Sequence, residues 1–228
     1  MDSCVCAAIA ARDFDAAAMH IDYGQRTELR ERQAFHGICD RLGIKDRLLL
    51  RNPVFAAIGG SALTDETIAV PEAAPEFHGS APGERGAQIP VTYVPFRNAH
   101  FLAAAVSWAE VRRAEKVLIG AVEQDSSGYP DCRPEFYRAY NEAIRAGTKE
   151  GRIEVITPLI GLRKAEIVTL GLELGAPFDL TWSCYSRQDR ACGVCESCVL
   201  RLRAFAAAGT TDPIPYEAGV VSQGSSRS

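Results

Sequence analysis

Cys184, Cys192, Cys195 and Cys198 follow one another at spacings of eight, three and three residues. Two Cys-x-x-Cys turns in tandem aim three sulfurs at one point, and the longer first gap lets the chain loop back to supply a fourth. Four thiolates in a tetrahedron suit Zn²⁺; the same ligands serve a [4Fe–4S] cluster, and a disulfide pair is the plain alternative. A closed all-cysteine site keeps no open coordination position, so the metal reads as structural, tying the C-terminal helix to the body. A second chemistry is suggested by polar stretches that each follow a strand-like run: Asp22-Tyr23-Gly24-Gln25-Arg26, Pro95-Phe96-Arg97-Asn98 and Glu123 through Asp131. In an open parallel sheet, ligands sit beyond the carboxyl ends of the strands. Arg26, Arg97 and Lys164 would then converge as a cationic clamp for phosphates, against the plainer reading of each as a surface cation.

The elements that must position these residues alternate. Residues 3–11 read as a helix with Asp2 or Ser3 as N-cap, and Ala16–Ile21 as a buried strand. A helix opens at Thr27, carries Phe35, Ile38 and Leu42 at helical spacing and stops at Gly43; Arg47–Leu50 is a second strand. Residues 59–90 lack a sustained period and read as a long loop with one short strand at Thr67–Val70. Regular structure resumes at Val91–Pro95, followed by a helix from Asn98 to Arg113 and a strand over Lys116–Val122. A helix from Pro134 to Gly147, a strand at Ile153–Ile156, a helix over Arg163–Leu174 and a last helix over Glu196–Ala208 complete the series. This rhythm is that of an α/β fold, a parallel sheet flanked by helices. Residues 1–208 form one domain with a metal lobe at 184–198, and the Gly- and Ser-rich stretch 209–228 reads as a poorly ordered tail.

Composition narrows the classes. With 228 residues, 47% of them hydrophobic, the chain can bury a sizeable core. A net charge of −4 advertises no affinity for nucleic acid, and Arg201 and Arg203 are too few to make a basic face. No apolar run approaches the roughly 20 residues that span a bilayer, and no signal peptide is visible. Cys4, Cys6, Cys39 and Cys132 are scattered without a framework, which points to a reducing cytoplasm.

Several of these stretches carry a resemblance. Asp22–Arg26, Val94-Pro95-Phe96-Arg97-Asn98, Gly120 with Glu123–Asp131, Thr157-Pro158-Leu159 with Lys164-Ala165-Glu166, and the cysteine quartet are similar to the 7-cyano-7-deazaguanine synthase family of PP-loop ATP pyrophosphatases. The similarity runs from Met1 to about Phe205. It implies a Rossmann-like sheet, a homodimer, ATP with Mg²⁺, structural Zn²⁺, and the small substrates 7-carboxy-7-deazaguanine and ammonium. Arg97 and Lys164 would stabilise phosphate, and Asp2, Ser3 and Gly120 would lie against ATP. Tyr23, Gln25 and Arg26 suit a planar heterocycle bearing a carboxylate. Glu123, Asp125, Tyr129 and Asp131 would read the guanine-like edge or place ammonia.

The resemblance has departures. The family opens with a strand and a Ser-Gly-Gly-x-Asp-Ser phosphate loop, whereas this sequence opens Met1-Asp2-Ser3 and shows only the last three positions. An internal methionine taken as residue 1 is the expectation. A short form acting as a binding subunit, or a relative that adenylates deazaguanine to modify nucleic acid or protein, are the alternatives. Thr27 stands where the family suggests His, and the first cysteine gap is one residue short.

Overall fold

The computed structural model describes residues 1–74, 89–123 and 128–220. Helix α1 (Asp2–Asp13) leads to β1 (Ala17–Asp22), α2 (Glu28–Arg41) and β2 (Asp46–Arg51). The short α3 (Val54–Ile58) and the long α4 (Arg97–Arg112) precede β3 (Lys116–Leu118), α5 (Pro134–Gly147) and β4 (Glu154–Ile156). Helices α6 (Lys164–Glu173) and α7 (Glu196–Ala207) close the order. β1 pairs in parallel with β2, Ala17 opposite Asp46 through Asp22 opposite Arg51, with α2 as the crossover. β3 pairs in parallel with β4, with α5 as the crossover. The parallel α/β architecture is therefore as expected. Among the described residues, however, it forms two two-stranded sheets rather than one continuous sheet.

The main core lies between α1, α6 and α7. Val5, Leu159, Ile167 and Val168 are completely buried there, beside Phe178 and Phe205. Burial of each such side chain contributes about 1.5–3 kcal/mol. Gly171 faces Phe178 and Val5 so closely that a Cβ would overlap both, which lets α6 approach α1. A second core joins α4 and α5 to the β3–β4 pair through Leu102, Val106, Tyr137, Ile144 and Val155. Pro134 opens α5 at a position where its missing N–H costs nothing.

Four expectations need correction. The strand expected over Lys116–Val122 is paired only to Leu118; Ile119 donates once more to the Ile156 carbonyl (3.1 Å) and the chain then leaves the ladder. Thr67–Val70 is no strand, because the Asp65 carboxylate accepts from both the backbone N–H (2.9 Å) and the hydroxyl (2.6 Å) of Thr67 and folds a turn. Residues 91–95 likewise lie in turns. Residues 209–220 are not a loose tail, since Asp212 and Ile214 are buried. Arg201, itself 2% exposed, needs a counter-ion there, and its guanidinium holds Asp212 at 2.6 and 2.8 Å. Tyr216 adds a hydroxyl to the same carboxylate (2.7 Å) and bridges to Ala191. Residues 221–228 and Asp125 lie outside the described residues.

Candidate functional site

A cavity of about 310 Å³ opens where α1, α4 and α6 begin, beside the end of β3. Asp2, Ser3, Arg97, Gly120, Tyr129 and Lys164 all line it, so six of the residues singled out in the sequence meet in one place. Each comes from an element end. Lys164 is the first residue of α6, whose start is fixed when the Glu166 carboxylate accepts the Arg163 N–H at 2.8 Å. Its ammonium donates to Asp2 at 2.6 Å. Burial alone would raise the Asp2 carboxyl, but Lys164, with the Met1 ammonium and Arg201, overcomes it and holds the group below the usual carboxylate range. The other Asp2 oxygen, Oδ1, is buried and has no hydrogen-bond partner among the described residues. An anionic oxygen in that state is suited to a cation or a substrate proton.

Gly120 has a steric reason to be glycine. A Cβ on it would stand 2.7 Å from the Ser3 nitrogen and 2.8 Å from the Asp2 carbonyl carbon, and both are backbone atoms. Gly120→Ala is therefore expected to push the start of α1 away and to lower stability by about 1–3 kcal/mol. A reduced urea midpoint at unchanged slope reads this; an unshifted midpoint contradicts the close approach.

Arg97 opens α4 and points inward. It donates to the Tyr23 hydroxyl at 3.1 Å, and its guanidinium lies 5.4 Å from the Tyr23 ring centre and 5.9 Å from that of Phe101. Burial works against its charge, but Tyr23, Tyr129, Cys132 and Asp131 around it keep it protonated. Burial also pushes the Tyr23 hydroxyl up to about 12. The helix start is held by strained backbone: Phe96 sits at φ 58, secured by its N–H to the Tyr93 hydroxyl (2.9 Å).

The remaining candidates do other work. Asp131 is 3% exposed, and its carboxylate accepts the Asn98 N–H at 2.9 Å, satisfying a donor in the first turn of α4. Gln25 accepts from the Tyr23 N–H (2.8 Å) and donates to Glu31 (3.2 Å), whose carboxyl burial raises. Arg26 spends its guanidinium on the carbonyls of Ala62 (2.7 Å), Asp65 (3.0 Å) and Ile68 (2.6 Å), clamping a turn rather than facing the cavity. Its predicted place in a clamp with Arg97 and Lys164 is thus not what the geometry gives. Glu123 donates its N–H to Ile160 at 3.2 Å and is not part of the cavity lining. Ser183, Tyr185, Ser197 and Arg201 do line the cavity, and sequence reasoning overlooked them. The first three are immediate neighbours of metal-ligand candidates, a signal that was readable.

Those ligand candidates form the second site. The sulfurs of Cys184, Cys192, Cys195 and Cys198 lie within 4.8 Å of one another, and those of Cys192 and Cys198 are 3.9 Å apart. Sulfurs about 2.3 Å from a central tetrahedral ion stand about 3.8 Å apart, so the group can hold a metal ion. It is too open for a disulfide, and all eight cysteines are free. Hydrogen bonds from Cys195 and Cys198 hold the Cys184 thiol far below its ordinary value, and backbone N–H groups of Ser186 and Cys192 point at the same sulfur at 3.5 Å. The lobe is stitched to the body by the Glu72–Cys195 bridge and by Ala73 N–H donating to Val194 at 2.8 Å.

Comparison with known proteins places the chain in a family. The family model described as "Queuosine biosynthesis protein QueC" matches residues 1–209. The 7-cyano-7-deazaguanine synthase of Koribacter versatilis (strain Ellin345) is 67% identical over 220 residues, covering 95% of this chain and 89% of that protein. The enzyme of the same name from Acidobacterium capsulatum is 66% identical over 219 residues, covering 95% and 92%. That from Chlorobaculum tepidum is 54% identical over 220 residues, again covering 95% and 92%.

Proposed function

The chain belongs to the QueC family of queuosine biosynthesis proteins, and from that premise we propose that it converts 7-carboxy-7-deazaguanine and ammonium into 7-cyano-7-deazaguanine with consumption of ATP. The observation that carries this reading is the meeting of Arg97, Lys164, Asp2, Ser3 and Gly120 around one cavity. The substrate carboxylate attacks the α-phosphate of ATP, forming an acyl-adenylate and releasing diphosphate. Ammonia displaces AMP to give the amide. A second ATP adenylates the amide oxygen, which then departs with AMP to leave the nitrile. Both adenylations build negative charge on a diphosphate leaving group, and the fixed cations Arg97 and Lys164 lie where they can stabilise it without reorganising. The half-enclosed cavity protects a hydrolysable adenylate from water. Asp2, with one oxygen on Lys164 and the other unpartnered among the described residues, is the residue suited to hold the Mg²⁺ that would accompany ATP and neutralise phosphate charge.

At the cysteine cluster the proposed ion is Zn²⁺. The close spacing of the sulfurs supports one central atom, since a four-iron cluster carries one thiolate per iron and spreads them wider. A homodimer and a cytoplasmic setting belong to the same proposal; the eight free cysteines support a reducing compartment. Among the described residues no helix is long and apolar enough to cross a membrane. The test is AMP release from ATP by the purified full chain with the acid and ammonium, alongside mass detection of the nitrile. AMP that requires both co-substrates, at about two per nitrile, is expected. Absence of acid-dependent AMP and of nitrile in a chain that also carries the family's Ser-Gly-Gly phosphate loop rejects the assignment.

A further inference from the structure

Tyr185 directly follows the metal ligand Cys184, yet its ring lies in the wall of the substrate cavity. It packs against two clusters at once: the cysteine cluster with Trp182 and Ala191, and the cluster of Tyr23, Phe55, Leu63 and Val94. Its hydroxyl is hydrogen-bonded to Tyr129, whose own hydroxyl donates to Thr92 at 2.9 Å. On the metal side, its backbone N–H points at the Cys195 sulfur. Ligation of Cys184 and Cys195 therefore fixes the backbone from which this ring projects. Among the described residues three aromatic rings line the cavity, and two are already engaged: Phe101 by the Arg97 guanidinium at 5.9 Å and Tyr129 by Tyr93 at 5.5 Å between centres. Among the described residues no ring or cation stacks on Tyr185. The rest of the lining mixes cations and hydroxyls, which hold anions, with aliphatic side chains such as Ile119, Val122 and Leu200, so among the described residues Tyr185 is the aromatic ring left to meet the flat face of a fused heterocycle.

We propose that Tyr185 is a specificity-determining residue that stacks on the planar base of the acid substrate, and that its placement depends on the metal-bound loop. The inference rests on the site reading above and deepens it. Stacking a base on an aromatic side chain gives an affinity loss of about 10-fold or more when the ring is removed. The experiment titrates the full, metal-loaded chain with 7-carboxy-7-deazaguanine by calorimetry and measures bound metal in each variant. Tyr185→Leu, which keeps apolar bulk, is expected to bind about 10-fold or more weakly, and Tyr185→Phe within about 3-fold of the parent, both with the parent's metal content. Leucine binding as tightly as tyrosine, or phenylalanine as weakly as leucine, overturns the stacking role. Tyr185→Trp covers the case in which leucine disturbs the fold: its added indole emission must change as the acid saturates the site, and unchanged emission overturns the proposal. Chelator-stripped parent protein is expected to lose at least as much affinity as Tyr185→Leu, and retained affinity overturns the dependence on metal. A parent chain that shows no saturable binding of the acid overturns the site reading itself and this inference with it.

Discussion

Cys195→Ser is expected to leave the protein without bound metal and with a thermal midpoint lower by about 6–20 °C. Structural Zn²⁺ contributes about 10–16 kcal/mol where it organises an entire small domain. Here a hydrophobic core around Val5, Ile167 and Phe205 stands apart from the metal, so only part of that sum reaches global stability. A loss of about 3–5 kcal/mol at about 2–4 °C per kcal/mol gives the stated shift for a chain of this size. The damage has a predictable place. Cys195 is buried (2% exposed), makes an isolated antiparallel bridge with Glu72, and its neighbour Val194 accepts the Ala73 N–H at 2.8 Å. Hydrogen exchange at the Ala73 amide should therefore accelerate far more than at amides inside α5. Elemental analysis and a melting curve decide the matter: a variant that keeps one metal per chain and melts within about 2 °C of the parent removes the metal centre from the account.

The two sites were legible in the sequence to different degrees, and the reason is locality. The cysteine set is contained in fifteen consecutive residues, so spacing alone constrains where the sulfurs can meet. Asp2 and Lys164 are 162 positions apart and meet only because α1 packs on α6, which no local pattern announces. The strand-end rule brought Arg97 and Lys164 together correctly but misplaced Arg26. An arginine in a loop has five donors and takes whatever carbonyls the fold leaves unpaired, and here a turn some forty residues on supplies three. Asp131, expected at the guanine-like edge or beside ammonia, instead has its carboxylate on the Asn98 N–H, a long-range contact that the loop's own sequence does not announce. The ordered stretch around Asp212 was hidden because Gly, Thr and Pro suggest a tail, while the buried Arg201 that requires it lies in the preceding helix. α3, at five residues, is shorter than any period that could reveal it.

Lys164→Met is the substitution expected to cost most in turnover, with acid-dependent AMP formation falling by about 100-fold or more. Removing one preorganised donor from developing transition-state charge has that magnitude. The lysine side chain is 14% exposed and Asp2 24%, so bulk water replaces neither partner fully. The variant also changes the behaviour of Asp2. In the parent, Lys164 holds the Asp2 carboxyl below its ordinary value, so the pair adds stability above the unfolded carboxyl value and loses it as pH falls through the lower folded one. Without the lysine, burial, the largest influence and one that raises the carboxyl, is opposed only by the Met1 ammonium and Arg201, so the carboxyl moves up from where Lys164 holds it. That upward move costs the folded state stability at neutral pH, and acid relieves the loss by protonation. The gap in melting temperature between parent and variant should thus be widest near neutrality and narrow as pH is taken down toward 4. Lys164→Arg, which keeps the charge, should restore most of the stability gap but little of the turnover, because a planar guanidinium does not occupy the place of a compact ammonium. Turnover of Lys164→Met within about 3-fold of the parent, or a stability gap that widens on acidification, assigns the phosphate chemistry elsewhere and leaves Arg97 as the cation to examine.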